Sequence, residues 1–201
     1  MTVRVVFATG NAHKVGEVQQ ILSAAGADIE LLALTPWPYA PTPIEDGATF
    51  AENALIKARA IATHTGFPAV ADDSGICVDA LNGMPGIYSA RWAGIHGDDP
   101  ANLQLLLAQL RDVPTQRRGA QFICAAALVT PDGVERVVEG SIEGVITDAP
   151  AGNGGFGYDP IFRPHGFNVT TAELTAEDKN AISHRGAAFR ALAPLVAELL
   201  G

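Results

Sequence analysis

Residues 3–22 read VRVVFATGNAHKVGEVQQIL, and their pattern of apolar and turn residues indicates the fold class. Val3 to Ala8 is apolar and rich in β-branched residues, which predicts a strand. Thr9-Gly10-Asn11 supplies turn residues, and apolar side chains then recur at helical spacing, at Val15, Val18, Ile21 and Leu22. The segment therefore predicts a strand, a tight loop and a helix.

The rest of the chain alternates strand and helix patterns before it reaches a hairpin. Two β-rich runs, residues 120–130 and 134–147, flank Pro131-Asp132-Gly133, which is typical of a hairpin turn. Prolines at positions 36, 38, 41 and 43 predict an irregular surface loop. No linker separates domains, so we expect residues 1–201 to form a single α/β domain with a mixed sheet flanked by helices. The other expected elements are a strand near 29–34, helices from about Ala48, around Leu106 and from about Arg185, a short strand at 69–71 and a further extended stretch at 76–81.

The composition narrows the class of protein. Hydrophobic residues make up 48% and charged residues 17%, which is typical of a globular chain. No apolar run approaches the roughly 18 residues of a membrane span, and the first residues do not resemble a secretory signal, so we expect a cytoplasmic protein. The formal charge of −9 argues against nucleic-acid binding. Cys77 and Cys124 lie far apart in apolar stretches and are expected to be buried thiols.

The loop after the first strand carries the first candidate site, Thr9-Gly10-Asn11-Ala12-His13-Lys14. A helix N-terminus offers unpaired backbone N–H groups and a partial positive charge, and Lys14 adds a full charge. This pattern suits a phosphate. The alternative is a helix capped by Asn11, which needs no ligand. The Walker A pattern is absent.

Paired carboxylates mark the second candidate site. Asp72-Asp73-Ser74-Gly75 follows the short apolar strand, so two adjacent negative charges are expected at a strand end. They repel each other unless a cation or hydrogen-bond donors compensate them, and Mg²⁺ accepts such oxygen ligands. The alternative is a tight turn with both carboxylates in water. Glu45, Asp46 or Glu52 could supply a further carboxylate.

Two more polar segments follow. Four glycines surround an aromatic pair in residues 152–160, GNGGFGYDP, so the backbone can wrap closely around a flat ligand and offer a ring for stacking. A flexible surface loop is the alternative. Residues 179–185, KNAISHR, place Ser183 as a candidate N-cap of the last helix, with His184 and Arg185 in its first turn. Cations at that end oppose the helix dipole unless an acceptor-rich ligand lies nearby, although a plain surface patch would also fit.

Four motifs together resemble the inosine triphosphate pyrophosphatase family. They are FATGNAHK (7–14), ADDSGICVDALNGMPGIYSARWAG (71–94), GGFGYDPIF (154–162) and ISHRGAAFRAL (182–192), in the family's order. The resemblance implies an elongated α/β fold of two lobes with a central substrate cleft, usually a homodimer. It also implies hydrolysis of ITP, dITP and XTP to the nucleoside monophosphate and pyrophosphate, with Mg²⁺ as cofactor.

The resemblance also assigns residues. Asp73 is implied as the catalytic carboxylate and, with Glu45, as a metal ligand. Phe156 is implied to stack on the base, and the segment Thr9 to Lys14 to hold the triphosphate. The full set of implied substrate contacts is Thr9, Gly10, Asn11, Ala12, His13, Lys14, Ser74, Phe156, Gly157, Tyr158, Asp159, Lys179, His184 and Arg185.

Other classes of protein fit the sequence less well. A nucleotide-binding regulator without hydrolysis would need the first and third segments, but not the paired aspartates Asp72-Asp73. A phosphotransferase of another fold would carry a Walker A loop or an aspartyl nucleophile after the first strand. A dinucleotide-binding dehydrogenase would carry GxGxxG there, and the sequence does not.

Overall fold

The computed structural model describes residues 2–9 and 12–201, and its centre is a six-stranded sheet. The strand order is β2-β1-β3-β4-β5-β6. The strands are β1 (Val3–Phe7), β2 (Ile29–Leu32), β3 (Ala69–Val78), β4 (Gly119–Val129), β5 (Glu135–Ile146) and β6 (Phe162–Pro164). The described helices are α1 (Ala12–Ala24), α2 (Phe50–Thr65), α3 (Asp99–Gln109), α4 (Ala176–Ile182) and α5 (His184–Leu200).

Both strand directions occur in the sheet, which confirms the predicted mixed α/β class. β1 runs parallel to β2 and to β3, because α1 and α2 carry the chain back across the sheet between these strands. β5 and β6 are antiparallel. The predicted hairpin is also confirmed, since the Thr130 N–H donates to the Val134 carbonyl at 2.9 Å between β4 and β5.

The chain divides into two compact units, in agreement with the two lobes that the resemblance implies. The first unit comprises Met1–Asp73, Cys124–Gly140 and His184–Gly201, and its core includes an edge-to-face pair of Phe7 and Phe189. The second comprises Ser74–Ile123 and Ser141–Ser183, and its core includes the ring pair of Phe122 and Phe162. The chain passes from one unit to the other within β3, β4 and β5, and again between α4 and α5. The expected central cleft stays a prediction.

One predicted boundary is wrong in a way that matters for the site. The short strand at 69–71 was expected to end at Asp72-Asp73, with a separate extended stretch at 76–81. Instead, β3 runs without a break from Ala69 through both aspartates to Val78. The strand can continue because each buried or half-buried carboxylate is paired with basic side chains of its own. The turn alternative, with both carboxylates in water, is therefore excluded.

Smaller differences concern element ends. α2 begins at Phe50 rather than near Ala48, because Thr49 is its N-cap and accepts from the Glu52 N–H at 3.1 Å. The sequence analysis missed the short elements α4 and β6. The proline-rich loop is irregular as predicted. Cys77 and Cys124 are both free thiols, and Cys124 is buried. None of the described helices combines the length and apolarity that a membrane span requires.

Candidate active site

Asp72 and Asp73 lie side by side in β3 but belong to different environments. Successive residues of a strand point to opposite faces of the sheet, so the two carboxylates separate. The partners of Asp72 come from α1 and α5, whereas those of Asp73 come from α2 and the loop before it. The pair is therefore two sites, one on each face.

Asp72 sits in a buried cluster of alternating charges. Its side chain is 3% exposed, and its Oδ2 lies 3.1 Å from Arg185 Nε and 3.5 Å from Lys14 Nζ. Burial by itself would raise the pKa of Asp72, but Lys14 and Arg185, with a smaller contribution from the charge of Lys57, outweigh it and hold the pKa well below the usual range. Arg185 also contacts Glu17 at 3.3 Å. Asp72 is thus a permanent anion that fixes two cations.

Local structure explains how this cluster assembles. Lys14 and Glu17 are three residues apart on α1, so they share one face of the helix. Arg185 comes from the first turn of α5, which packs tightly against β5 at Gly140. A Cβ at Gly140 would collide with the backbone of His184 and Ala188, so only glycine allows this approach.

Asp73 shares a lysine with Glu45. Lys57 Nζ lies 3.0 Å from Asp73 Oδ1 and 3.3 Å from Glu45 Oε2, while the Asn53 amide donates to Asp73 Oδ2 at 3.3 Å. Burial raises the pKa of Asp73 to about 6, and the charge of Glu45 adds to this effect, while Lys57 and Asn53 oppose it. Asp73 is therefore able to exchange a proton near neutral pH, unlike Asp72.

The start of α2 builds this second environment. Asn53 and Lys57 are one turn apart on α2, so both reach β3. Asn53 is 1% exposed, and its Oδ1 also accepts from the Gly47 N–H at 2.9 Å, which holds the loop that carries Glu45. Glu52 instead accepts from the Ala48 N–H as part of the helix cap. Of the three acidic candidates upstream, Glu45 is the one that pairs with the site lysine.

The donor set around Lys57 fits a magnesium ion. The described residues contain no cluster of three or more His, Cys, Asp or Glu that could enclose a metal. Glu45 and Asp73 nevertheless converge on a single cation, the Lys57 ammonium. Mg²⁺ in nucleotide enzymes takes one or two carboxylates and completes its shell with water and phosphate oxygens. The two carboxylates are sufficient for such a site.

In the second unit, the glycine-rich loop is held rather than loose. Phe156 is 56% exposed, and its N–H donates to Asp159 Oδ2 at 2.8 Å. Asp159 is buried, accepts from the Thr171 hydroxyl at 2.9 Å and forms an ion pair with Lys179. Lys179 Nζ also lies 5.1 Å from the centre of the Phe156 ring. The loop thus presents an aromatic face on an ordered base, which argues against the flexible-loop alternative.

The remaining implied contacts are distributed as follows. Gly10 and Asn11 lie outside the described residues, and Ala12 and His13 form the start of the α1 backbone. Three of the contacts are half-buried: Thr9 follows β1, Ser74 lies within β3, and His184 begins α5. Ser183 precedes α5 at the predicted N-cap position. Tyr158 is buried with its hydroxyl on the Ser89 carbonyl at 2.9 Å, and Gly157 is held through its N–H by Asp99 at 2.9 Å.

Sequence reasoning missed Lys57 and Asn53. The scarcity of lysine was one available signal, since the chain has only three lysines. In the structure, each of the three pairs with an aspartate of a candidate site. Lys14 pairs with Asp72, Lys57 with Asp73, and Lys179 with Asp159. The i, i+4 spacing of Asn53 and Lys57 was a second signal, since it places both on one face of the predicted helix.

Comparison with known proteins gives a consistent result. A model of the Ham1 family matches residues 5–195. The dITP/XTP pyrophosphatase of Streptomyces coelicolor is 63% identical over 198 residues, which cover 98% of this chain and 99% of that protein. A crystal structure of a nucleoside-triphosphatase / dITP/XTP pyrophosphatase from Mycobacterium abscessus is 55% identical, covers 96% of this chain and 98% of its own, and has a TM-score of 0.79.

A more distant relative shares the fold closely. The structure of a HAM1 protein from Coxiella burnetii is 40% identical, with a TM-score of 0.88 over 98% of this chain and 99% of that one. The family match and these identities extend over nearly the whole chain, including β3 with its paired aspartates. The chain therefore belongs to the Ham1 family.

Proposed function

We propose that this protein hydrolyses the non-standard purine nucleoside triphosphates ITP, dITP and XTP to the nucleoside monophosphate and pyrophosphate. The observation that carries the proposal is the half-buried Asp73, with a pKa of about 6, beside Lys57 and Glu45. Support comes from the relatives named dITP/XTP pyrophosphatase, which match nearly the full chain. Removal of such nucleotides from the nucleotide pool is the corresponding cellular role.

The first step is binding of the triphosphate. Lys14 contributes an ammonium group at the first turn of α1, where the helix dipole also favours an anion. Asp72 and Glu17 do not bind phosphate; they neutralise Arg185 and hold Lys14 in place. Because Arg185 is 3% exposed and bonded to these carboxylates, we assign it a positioning role rather than the direct substrate contact that the resemblance implies.

The second step is attack of water on the α-phosphorus. Asp73 accepts a proton from the attacking water. Its pKa of about 6 applies without metal, and bound Mg²⁺ would lower it and keep the carboxylate ionised at neutral pH. Lys57 and Asn53 fix the orientation of the carboxylate. The bond between the α-phosphorus and the α–β bridging oxygen breaks, and pyrophosphate leaves with the negative charge that Lys14 stabilises.

Magnesium belongs to this proposal. Glu45 and Asp73 would hold Mg²⁺, which when bound neutralises phosphate oxygens and lowers the pKa of a coordinated water.

At the other end of the substrate, Phe156 stacks on the purine. Lys179 and His184 are the proposed donors to a 6-oxo group, and adenine, with an amino group there, would leave those donors unpaired. We also propose a homodimer, which gel filtration with light scattering would test, and a cytoplasmic location, which cell fractionation would test.

The test is pyrophosphate release from ITP, XTP, dATP and GTP, each with and without Mg²⁺. We expect fast, magnesium-dependent release from ITP and XTP and slow release from dATP and GTP. dATP lacks the 6-oxo group, whereas GTP shares it and has to be excluded at its 2-amino group. Equal rates on all four substrates would overturn the base selectivity and keep the pyrophosphatase. Binding of ITP without release of pyrophosphate would instead support a nucleotide-binding regulator.

A further inference from the structure

The loop that carries the exposed Phe156 ring is fixed at consecutive residues. The Phe156 N–H donates to Asp159 within the loop, and the next N–H, that of Gly157, donates to Asp99 Oδ2 at 2.9 Å. The residue after that, Tyr158, is anchored through its hydroxyl. Gly157 has φ of 60°, in the left-handed region that favours glycine, so the chain can reverse here without strain. An exposed ring thus stands on an ordered backbone.

Asp99 is available for this contact because its neighbour caps the helix. Asp98 is the N-cap of α3, and its Oδ1 accepts from the Ala101 N–H at 3.1 Å. Asp99 is the first residue of α3, and its carboxylate reaches the glycine loop instead. A hydrogen bond to a charged carboxylate is about twice as strong as one between neutral groups. Asp98 therefore stabilises the start of α3, whereas Asp99 holds a loop that is distant in sequence.

Tyr158 anchors the loop in the opposite direction, into the core of the second unit. It is 5% exposed and packs in the cluster that contains Phe122. Its hydroxyl donates to the Ser89 carbonyl at 2.9 Å. The Ser89 hydroxyl in turn accepts from the Ile76 N–H of β3 at 2.9 Å. Tyr158 cannot reach a substrate while it makes these contacts, so its effect on one must pass through the loop.

We propose that Asp99 and Tyr158 are positioning residues that hold the Phe156 ring in place for stacking on the purine base. The identity of the ligand rests on the proposed function, and the roles of these two residues go beyond it. Holding the loop before the substrate arrives removes the entropy cost of ordering it on binding, so it strengthens binding of the base. Neither residue takes part in the chemical step.

The experiment compares ITP with ribose 5-triphosphate, which has the same reacting phosphorus and no base. We expect Asp99→Ala and Tyr158→Phe each to raise KM for ITP about tenfold, with kcat within about twofold of the wild type. KM for ribose 5-triphosphate should not change. Asp99→Asn should restore near-normal KM, because its amide oxygen still accepts from Gly157. Asp98→Asn is the matched control: asparagine keeps the helix cap and removes the same charge from the neighbouring residue, so KM should not change.

Two results would overturn the positioning role. One is an unchanged KM for ITP in both variants, and the other is an equal loss on the two substrates, which indicates general damage. A wild-type protein inactive on ITP would instead contradict the proposed function. In that case amide hydrogen exchange at Gly157 still tests the loop: we expect faster exchange in Asp99→Ala than in Asp98→Asn, and equal rates would contradict the proposal.

Discussion

Asp72 and Asp73 are adjacent in sequence, but their environments shift their pKa values in opposite directions. Asp72 faces Lys14 and Arg185, which lower its pKa, whereas burial raises that of Asp73 to about 6 despite the nearby Lys57. The pleat of β3 makes this separation possible, because it turns adjacent side chains to opposite faces. Two carboxylates with pKa values pushed apart divide the work between a fixed counter-charge and a group that exchanges protons.

The largest expected effect is loss of turnover in Asp73→Asn. The amide keeps the shape of the side chain but cannot accept a proton, so we expect kcat to fall by about 10³-fold. Stability at pH 7 should not fall, because a carboxyl group with a raised pKa costs folding energy when it is ionised. Pyrophosphate release and a thermal melt measure both. Near-normal turnover would remove Asp73 from the chemical step.

Asp72→Asn should show the reverse pattern in stability. The substitution leaves the buried Arg185 without its main counter-charge, which costs about 3 kcal/mol in the free energy of unfolding. Urea denaturation at pH 7 measures this loss. Because the pKa of Asp72 is lowered, its contribution is present above the ordinary value of 3.8, so the gap to the wild type should shrink only as the pH falls below 3.8.

Asp148→Asn serves as the control for that prediction. Asp148 also pairs with a buried arginine, Arg118, at 2.9 Å, but its own side chain is largely exposed. We expect a loss below about 1 kcal/mol there, because water can replace an exposed partner. Equal losses in the two variants would show that Asp72 is not an unusually important counter-charge.

Lys57→Met tests whether the two faces are independent. Lys57 lowers the pKa of Asp73, so its removal should move the acid limb of the kcat/KM profile to higher pH. At pH values below the limb we expect rates about tenfold lower than those of the wild type. Lys14→Met, on the other face, should weaken substrate binding and leave the limb where it is. A limb that moves in both variants would contradict the separation.

The smallest effect is expected for Glu17→Gln. Glu17 is the second and more exposed partner of Arg185, so its neutralisation should cost about 1 kcal/mol in the free energy of unfolding. The double variant with Asp72→Asn should lose more than the sum of the two single losses if both carboxylates serve the same arginine, because Arg185 is then left with neither counter-charge. Strict additivity in urea denaturation would contradict a shared network.

The sequence predicted the elements and the site motifs better than it predicted the environment of each residue. The hairpin, the mixed sheet and the last helix follow from hydrophobic spacing and turn residues, which act locally. The path of β3 through Asp72-Asp73 does not follow from these local signals, because charged residues inside a strand are stabilised by cations distant in sequence. The same holds for Lys57 and for buried Tyr158, whose roles depend on partners that only the folded chain brings near.

The most direct test of the account is a titration of the two carboxyl groups by ¹³C NMR in the metal-free protein, assigned with Asp73→Asn. We expect a midpoint near pH 6 for Asp73 and an ionised Asp72 from pH 4 to pH 8. Added Mg²⁺ should lower the Asp73 midpoint and leave Asp72 unaffected. A midpoint for Asp72 in this range, or one for Asp73 at the ordinary value of 3.8, would contradict the division of roles on which the proposed mechanism rests.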